Sequence, residues 1–171
     1  MKTKLLLLSA IAAYTFEANA QWLDVASGFA DPSRGINDFV INDDGSIWAP
    51  AYDGSGGGGI IQEYTKSNDG GLTWTPGFID VGATLAPEIE IANISSVNDS
   101  TAWAVFYDAD QTVAGGIWKT SDGGTTWTQQ TTAAYTTPSF PNIVHFWDAN
   151  NGVTMGDPLN NEFEIYTTND G

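Results

Sequence analysis

The chain has 171 residues, with 21 Asp and Glu against five Lys and Arg, a net charge of −16 and no cysteine. That balance argues against nucleic acid or anionic lipid as partner, because binding phosphates requires clustered Lys and Arg. Without cysteine there are no disulfides, thiolate nucleophiles or cysteine-metal sites, so the fold must hold by its core alone.

In chain order, Lys2 and Lys4 precede an apolar run from Leu5 to Ala13 and a small-residue site at Ala18-Asn19-Ala20. This is the layout of a secretory signal over residues 1–20, with Gln21 as the mature N-terminus. The run falls short of the ~20 apolar residues that span a bilayer. Residues 21–171 keep only Arg34, Lys66 and Lys119 as cations. The rest reads as short strands rich in β-branched and aromatic residues, bounded by Gly, Asn, Asp and Pro, with no helical period.

The strands repeat in fours. Strand A is expected at 36–41, 91–97 and 142–146, strand B at 47–52, 102–107 and 153–155, strand C at 60–65, 116–119 and 163–167, and strand D at 73–79 and 126–130. Trp22 precedes the first strand A much as Trp74 and Trp127 precede the next two. It is therefore expected to begin a strand D whose own blade lies at the far end of the complete chain.

Between strands C and D runs a recurring octapeptide. SNDGGLTW supplies Ser67, Asp69, Gly71, Thr73 and Trp74; TSDGGTTW supplies Thr120, Asp122, Gly124, Thr126 and Trp127; a third copy opens with Thr168 and Asp170 and stops at Gly171. The Asp residues fall 53 and then 48 apart, the length of a four-stranded propeller blade. Asp and Ser/Thr side chains bond nearby N–H groups and Gly takes positive φ, so each copy is a hairpin turn. Its Trp starts the outgoing strand as an apolar anchor.

This pattern, S/T-x-D-x-G-x-T-W, resembles the Asp box, or BNR repeat, of sialidases and other secreted β-propellers. The resemblance implies an all-β fold: a partial β-propeller of four-stranded antiparallel blades, about two and three-quarter blades plus a closing N-terminal strand. Residues 21–171 would then be the N-terminal part of a longer propeller domain. In that family the box is a structural turn remote from the ligand site. The run from Val144 to Gly171 further resembles exported Asp-box propellers of Bacteroidetes-type bacteria, which often carry a type IX sorting domain, and more distantly the photosystem-assembly-factor-like propellers. Both imply export or surface display.

Ligand sites are expected on the face opposite the boxes, where Asp53, Asp108 and Asp157 each follow strand B. Three roles suit such an arc: capping loop N–H groups, holding Ca²⁺ through oxygens, or acting as the acid and base of glycoside hydrolysis. Repetition in every blade favours capping, and no metal site or other cofactor is assigned. Arg34 stands where sialidases place the first arginine of their carboxylate cluster, though here it reads Arg34-Gly35-Ile36; otherwise it is a solvated loop residue. His145 is expected in the core or lining the channel. Asn93-Ile94-Ser95 and Asn98-Asp99-Ser100 fit the glycosylation sequon, and Asn42–Gly45 is a turn rather than a calcium loop. The expected function is a non-enzymatic exported module that binds a protein or glycan, or serves as a scaffold. The alternative is a glycosidase of the sialidase or xyloglucanase-like kind with residues in further blades.

Overall fold

A computed structural model describes residues 21–171, and the expected signal at 1–20 lies outside the described residues. Twelve strands form three antiparallel sheets. The first holds β1 (Arg34–Ile36), β2 (Val40–Ile41), β3 (Ile47–Asp53), β4 (Glu63–Ser67) and β5 (Thr75–Phe78). The second runs in order β6 (Glu90–Ser96), β7 (Ala102–Tyr107), β8 (Gly116–Thr120) and β9 (Thr128–Gln129). The third has β10 (Pro141–Phe146), β11 (Gly152–Leu159) and β12 (Glu162–Thr168). Each sheet is an up-and-down meander, and the innermost strands of successive sheets lie against one another, β2 on β6 and β6 on β10. This is the blade arrangement of a β-propeller.

Two apolar layers join the three blades. Trp48, Tyr64, Ile79 and Ile89 meet Ile91, Ile94, Ala104, Phe106 and Trp118 between the first and second. Trp103, Val105, Ile117 and Tyr135 meet Val144 and Phe146 between the second and third. Side chains alternate across each strand, so every central blade residue faces one neighbouring blade or the other. Burying one large aromatic in such a layer contributes about 3 kcal/mol.

The elements depart from the sequence expectations at several points. The first strand A is split into β1 and β2 around Asn37–Phe39, and β6 and β10 carry register shifts at the same place, between Ile91 and Asn93 and between Pro141 and Ile143. Strands β5 and β9 begin later than expected because Thr73 and Thr126 are held inside the turns by Asp69 and Asp122. Strand β11 runs on to Leu159, since Asn160 and Asn161, both at positive φ (55° and 69°), make a two-residue hairpin turn straight into β12. Trp22 lies in no strand and is 97% exposed.

Candidate functional site

The two ends of the blades differ in what their loops do. At one end the turns form a lattice. In the first copy Ser67 Oγ donates to Asp69 Oδ1 at 2.8 Å and accepts from Gly71 N at 2.8 Å, while Asp69 accepts Thr73 N at 2.9 Å and Thr73 Oγ1 at 2.6 Å. The second copy repeats the set with Thr120, Gly124, Asp122 and Thr126 at 2.7–3.0 Å. The third shows its opening bond, Thr168 Oγ1 to Asp170 Oδ1 at 2.9 Å. The hydrogen bonds from Thr73 and Thr126 bring the Asp69 and Asp122 carboxyls down to about 2.

These turns also meet the loops joining strands A and B. Gly70 N donates to Gly45 O, Gly123 N to Ser100 O and Gly171 N to Asn150 O, so both sets of loops share one face of the disc. Gly124 has φ near +91° and no room for a Cβ beneath the Tyr64 hydroxyl, which donates to its carbonyl at 3.2 Å. Glycine is required there on both counts.

Asp53 and Asp108 lie at the other end. Asp53 pairs with Arg34 across β1 and β3, at the far end of the strand from Ile47, which pairs with Ser67. Its carboxylate accepts Ser55 N at 2.9 Å and Gly59 N at 2.7 Å, closing the glycine-rich loop 54–59, and the Ser55 bonds bring it to about 2. Asp108 is 3% exposed and accepts Asp110 N, Thr112 N and Val113 N at 2.6–2.9 Å. Burial raises its carboxyl, but the N–H donors of Val113, Asp110 and Thr112 outweigh it and leave it below the ordinary range.

Asp157 does not occupy the equivalent place. Tyr107 pairs with Glu90 and Asp157 N bonds Phe140 O, which puts Asp157 in register with Tyr107, one residue short of Asp108. It lies inside β11 and accepts Asn142 Nδ2 at 2.6 Å. The two-residue turn after Leu159 removes the loop that an Asp at that position would have capped.

Arg34 is a strand residue with its side chain 13% exposed, rather than a solvated loop residue. Its guanidinium donates to both Glu63 oxygens, at 2.8 and 2.9 Å, and lies 3.1 Å from Asp31. The fork-to-carboxylate pair neutralises the charge that a substrate carboxylate would need. His145 is exposed on the face of β10 turned away from the second blade, its ring 6.3 Å from that of Trp147, and is not in either apolar layer. Both sequon asparagines use their side chains internally: Asn93 donates to Asp38 and accepts Val144 N, and Asn98 caps Ser100 N and Thr101 N.

Sequence reasoning missed the pair of Tyr107 and Glu90. The Tyr107 hydroxyl donates to Glu90 Oε1 at 2.7 Å beside Phe140, and burial together with that carboxylate pushes its ionisation up. Only the antiparallel register brings the two residues together across 17 positions. Among the described residues no three His, Asp or Glu converge as a metal site, and no helix is long and apolar enough to cross a membrane.

No family model matches the chain, and no curated protein matches it. Two solved structures are similar in fold. One, described as YCF48 bound to D1 peptide, is 19% identical with a TM-score of 0.53, over 81% of this chain and 38% of that one. The other, YCF48 from Cyanidioschyzon merolae, is 15% identical with a TM-score of 0.52, over 84% of this chain and 40% of that one. The chain thus spans about 40% of the length of these structures, and what it shares with them is the β-propeller fold.

Proposed function

We propose that this protein is an exported, non-enzymatic β-propeller module that binds a protein segment on the face opposite the Asp-box turns. One observation carries the proposal: on that face the side chains suited to catalysis hold the scaffold, while the loops they hold differ from blade to blade. Asp53 and Asp108 close loops of different length, Arg34 is paired with Glu63, and the third blade has a two-residue turn. Variable loops on a rigid sheet are the usual seat of recognition. A solved propeller of similar fold has a peptide bound, which supports the same kind of ligand here.

Charge narrows the ligand. Arg34 is the one cation at that end among the described residues, whereas Asp53, Asp80, Asp110, Asp157 and Glu162 are acidic there. A surface of one sign attracts the opposite sign and raises the rate of encounter. A basic, extended protein segment is the expected partner.

Fluorescence anisotropy with labelled basic, neutral and acidic peptides of equal length tests this. Basic peptides should bind, more weakly as salt rises, and Asp110→Lys with Glu162→Lys should abolish the preference. Binding indifferent to peptide charge would refute it. Release of reducing sugar from a sialoside or xyloglucan oligosaccharide would overturn the non-enzymatic assignment, and a heat on calcium titration would add Ca²⁺ to the site.

A further inference from the structure

One carboxylate on the face opposite the Asp-box turns is left over by the scaffold. Asp53 and Asp108 take backbone N–H groups of their own loops, and Glu63 takes both arms of Arg34. Glu90 accepts the Tyr107 hydroxyl at Oε1, and among the described residues no Lys or Arg pairs with it and nothing donates to Oε2. It is half-buried at the start of β6, the innermost strand of the second blade, and so stands at the mouth of the channel. A carboxylate partly withdrawn from water without a counter-charge gains by receiving a cation.

The walls beside it suit one kind of cation. Tyr107 and Phe140, both half-buried, lie with ring centroids 4.4 Å apart and planes tilted by 36°. Burial and the carboxylate push the ionisation of Tyr107 up, so it stays a phenol that holds Glu90 in place and offers a ring. An ammonium is a strongly hydrated point charge, whereas a guanidinium is weakly hydrated, stacks on aromatic faces and forks onto carboxylates. The chain uses the same fork itself, between Arg34 and Glu63 at 2.8 and 2.9 Å.

The constellation occurs once in the three blades. Where the second blade pairs Glu90 with Tyr107, the first pairs Gly35 with Tyr52, whose ring lies over the glycine where a Cβ would collide. The third sets Phe140 against Asp157. A blade is therefore built without a carboxylate at this place, unlike the loop-closing Asp that serves both the first and second blades.

Resting on the reading of this face as the seat of a basic protein segment, we infer that Glu90, Tyr107 and Phe140 form a subsite for an arginine side chain of that partner. The guanidinium donates to Glu90 and lies against the aromatic rings. Charge over the whole face then draws basic segments in, while this subsite selects arginine over lysine.

Peptides of equal length, uncharged except for one central residue, provide the test when that residue is arginine, lysine or citrulline, the neutral isostere of arginine. By fluorescence anisotropy the arginine peptide should bind about tenfold or more tighter than the citrulline peptide, as a charge-assisted hydrogen bond provides, with lysine between them. Glu90→Gln, whose amide oxygen can still accept the Tyr107 hydroxyl, should bring arginine down to the level of citrulline. Phe140→Leu keeps the carboxylate and should remove the advantage of arginine over lysine. Equal binding of the arginine and lysine peptides, or an arginine preference that survives Glu90→Gln, would overturn the inference and leave the peptide-binding reading intact. Titration with N-acetylarginine amide reads the subsite without a peptide: the ring NMR signals of Tyr107 and Phe140 should shift in the parent protein and not in Glu90→Gln. Shifts with no peptide binding would overturn the peptide-binding reading alone, and rings that do not respond would overturn the inference whatever the peptides do.

Discussion

The junction between the first and second blades and that between the second and third are built from the same parts with one part changed. At the first, Trp48 stacks on Tyr64 at 5.3 Å, receives Trp127 edge-on, and has its indole N–H bonded. At the second, Trp103 stacks on Phe146 at 3.5 Å, its N–H has no partner among the described residues, and a cavity adjoins the pair. The difference teaches that a blade is not a self-sufficient unit. Its face is completed by an indole delivered from the turn of the next blade, so each junction needs chain from both sides of the turn. The Gly124 carbonyl, which matches Gly71, the acceptor of Trp74 Nε1, takes the Tyr64 hydroxyl of the neighbouring blade.

Removing the anchor of the complete junction should have the largest effect. Trp48→Ala leaves a void in a closed layer and should lower stability by about 3–5 kcal/mol in urea melts. A loss no larger than that of an exposed residue would mean that the first junction is as open as the second. Next comes Asn93→Ala, which touches both junctions, because Asn93 bonds Asp38 of the first blade and the buried Val144 N of the third. Leaving that N–H unsatisfied should cost about 1–3 kcal/mol.

Ile117→Tyr carries the aromatic of the first junction into the second. Filling part of the cavity should raise stability by about 0.5–1 kcal/mol. A fall instead would show that the cavity walls cannot accept a ring. Smallest is an acid effect that the two turns share. Asp69 and Asp122 sit near 2 when folded, so their contribution is complete above the ordinary carboxylate value of about 4 and is lost as pH falls through about 2. Comparing Asp122→Asn with the parent protein across that range should show a stability gap that is constant above pH ~4 and closes on acidification. A gap independent of pH would mean that Asp122 acts by shape alone.

Most of the fold was legible because the turns announce themselves. Asp69, Gly71 and Trp74 occur at fixed offsets and recur a blade length later, and those side chains make the bonds their chemistry suggests. The strand ends were less legible, since a Thr after a turn looks like a strand residue until its N–H is seen to belong to an Asp four positions earlier. At the candidate site, Asp53 and Asp108 were placed at the correct end, but the alignment of Asp157 depended on loop length. Asp157 stands five residues after Gly152 where Asp108 stands six after the matching Ala102, and the two asparagines at positive φ close a tight turn in place of a loop. The Glu63 partner of Arg34 lay beyond sequence reasoning, because it is 29 residues away and meets Arg34 only through the sheet, whereas Asp31 is a local neighbour.

The placement of the three cations in residues 21–171 has a practical consequence. Arg34, Lys66 and Lys119 lie within β1, β4 and β8; Arg34 is clamped by Glu63, while each ammonium rests over a tryptophan, Lys66 at 4.6 Å from Trp48 and Lys119 at 5.1 Å from Trp103. These are also the only peptide bonds in that span that trypsin can recognise. Cleavage at any of them requires a strand to leave its sheet, so digestion by trypsin reports the population of opened blades rather than the motion of surface loops. An acidic protein whose few basic residues over 21–171 are locked in this way is protected from one major class of protease by the same contacts that join its blades.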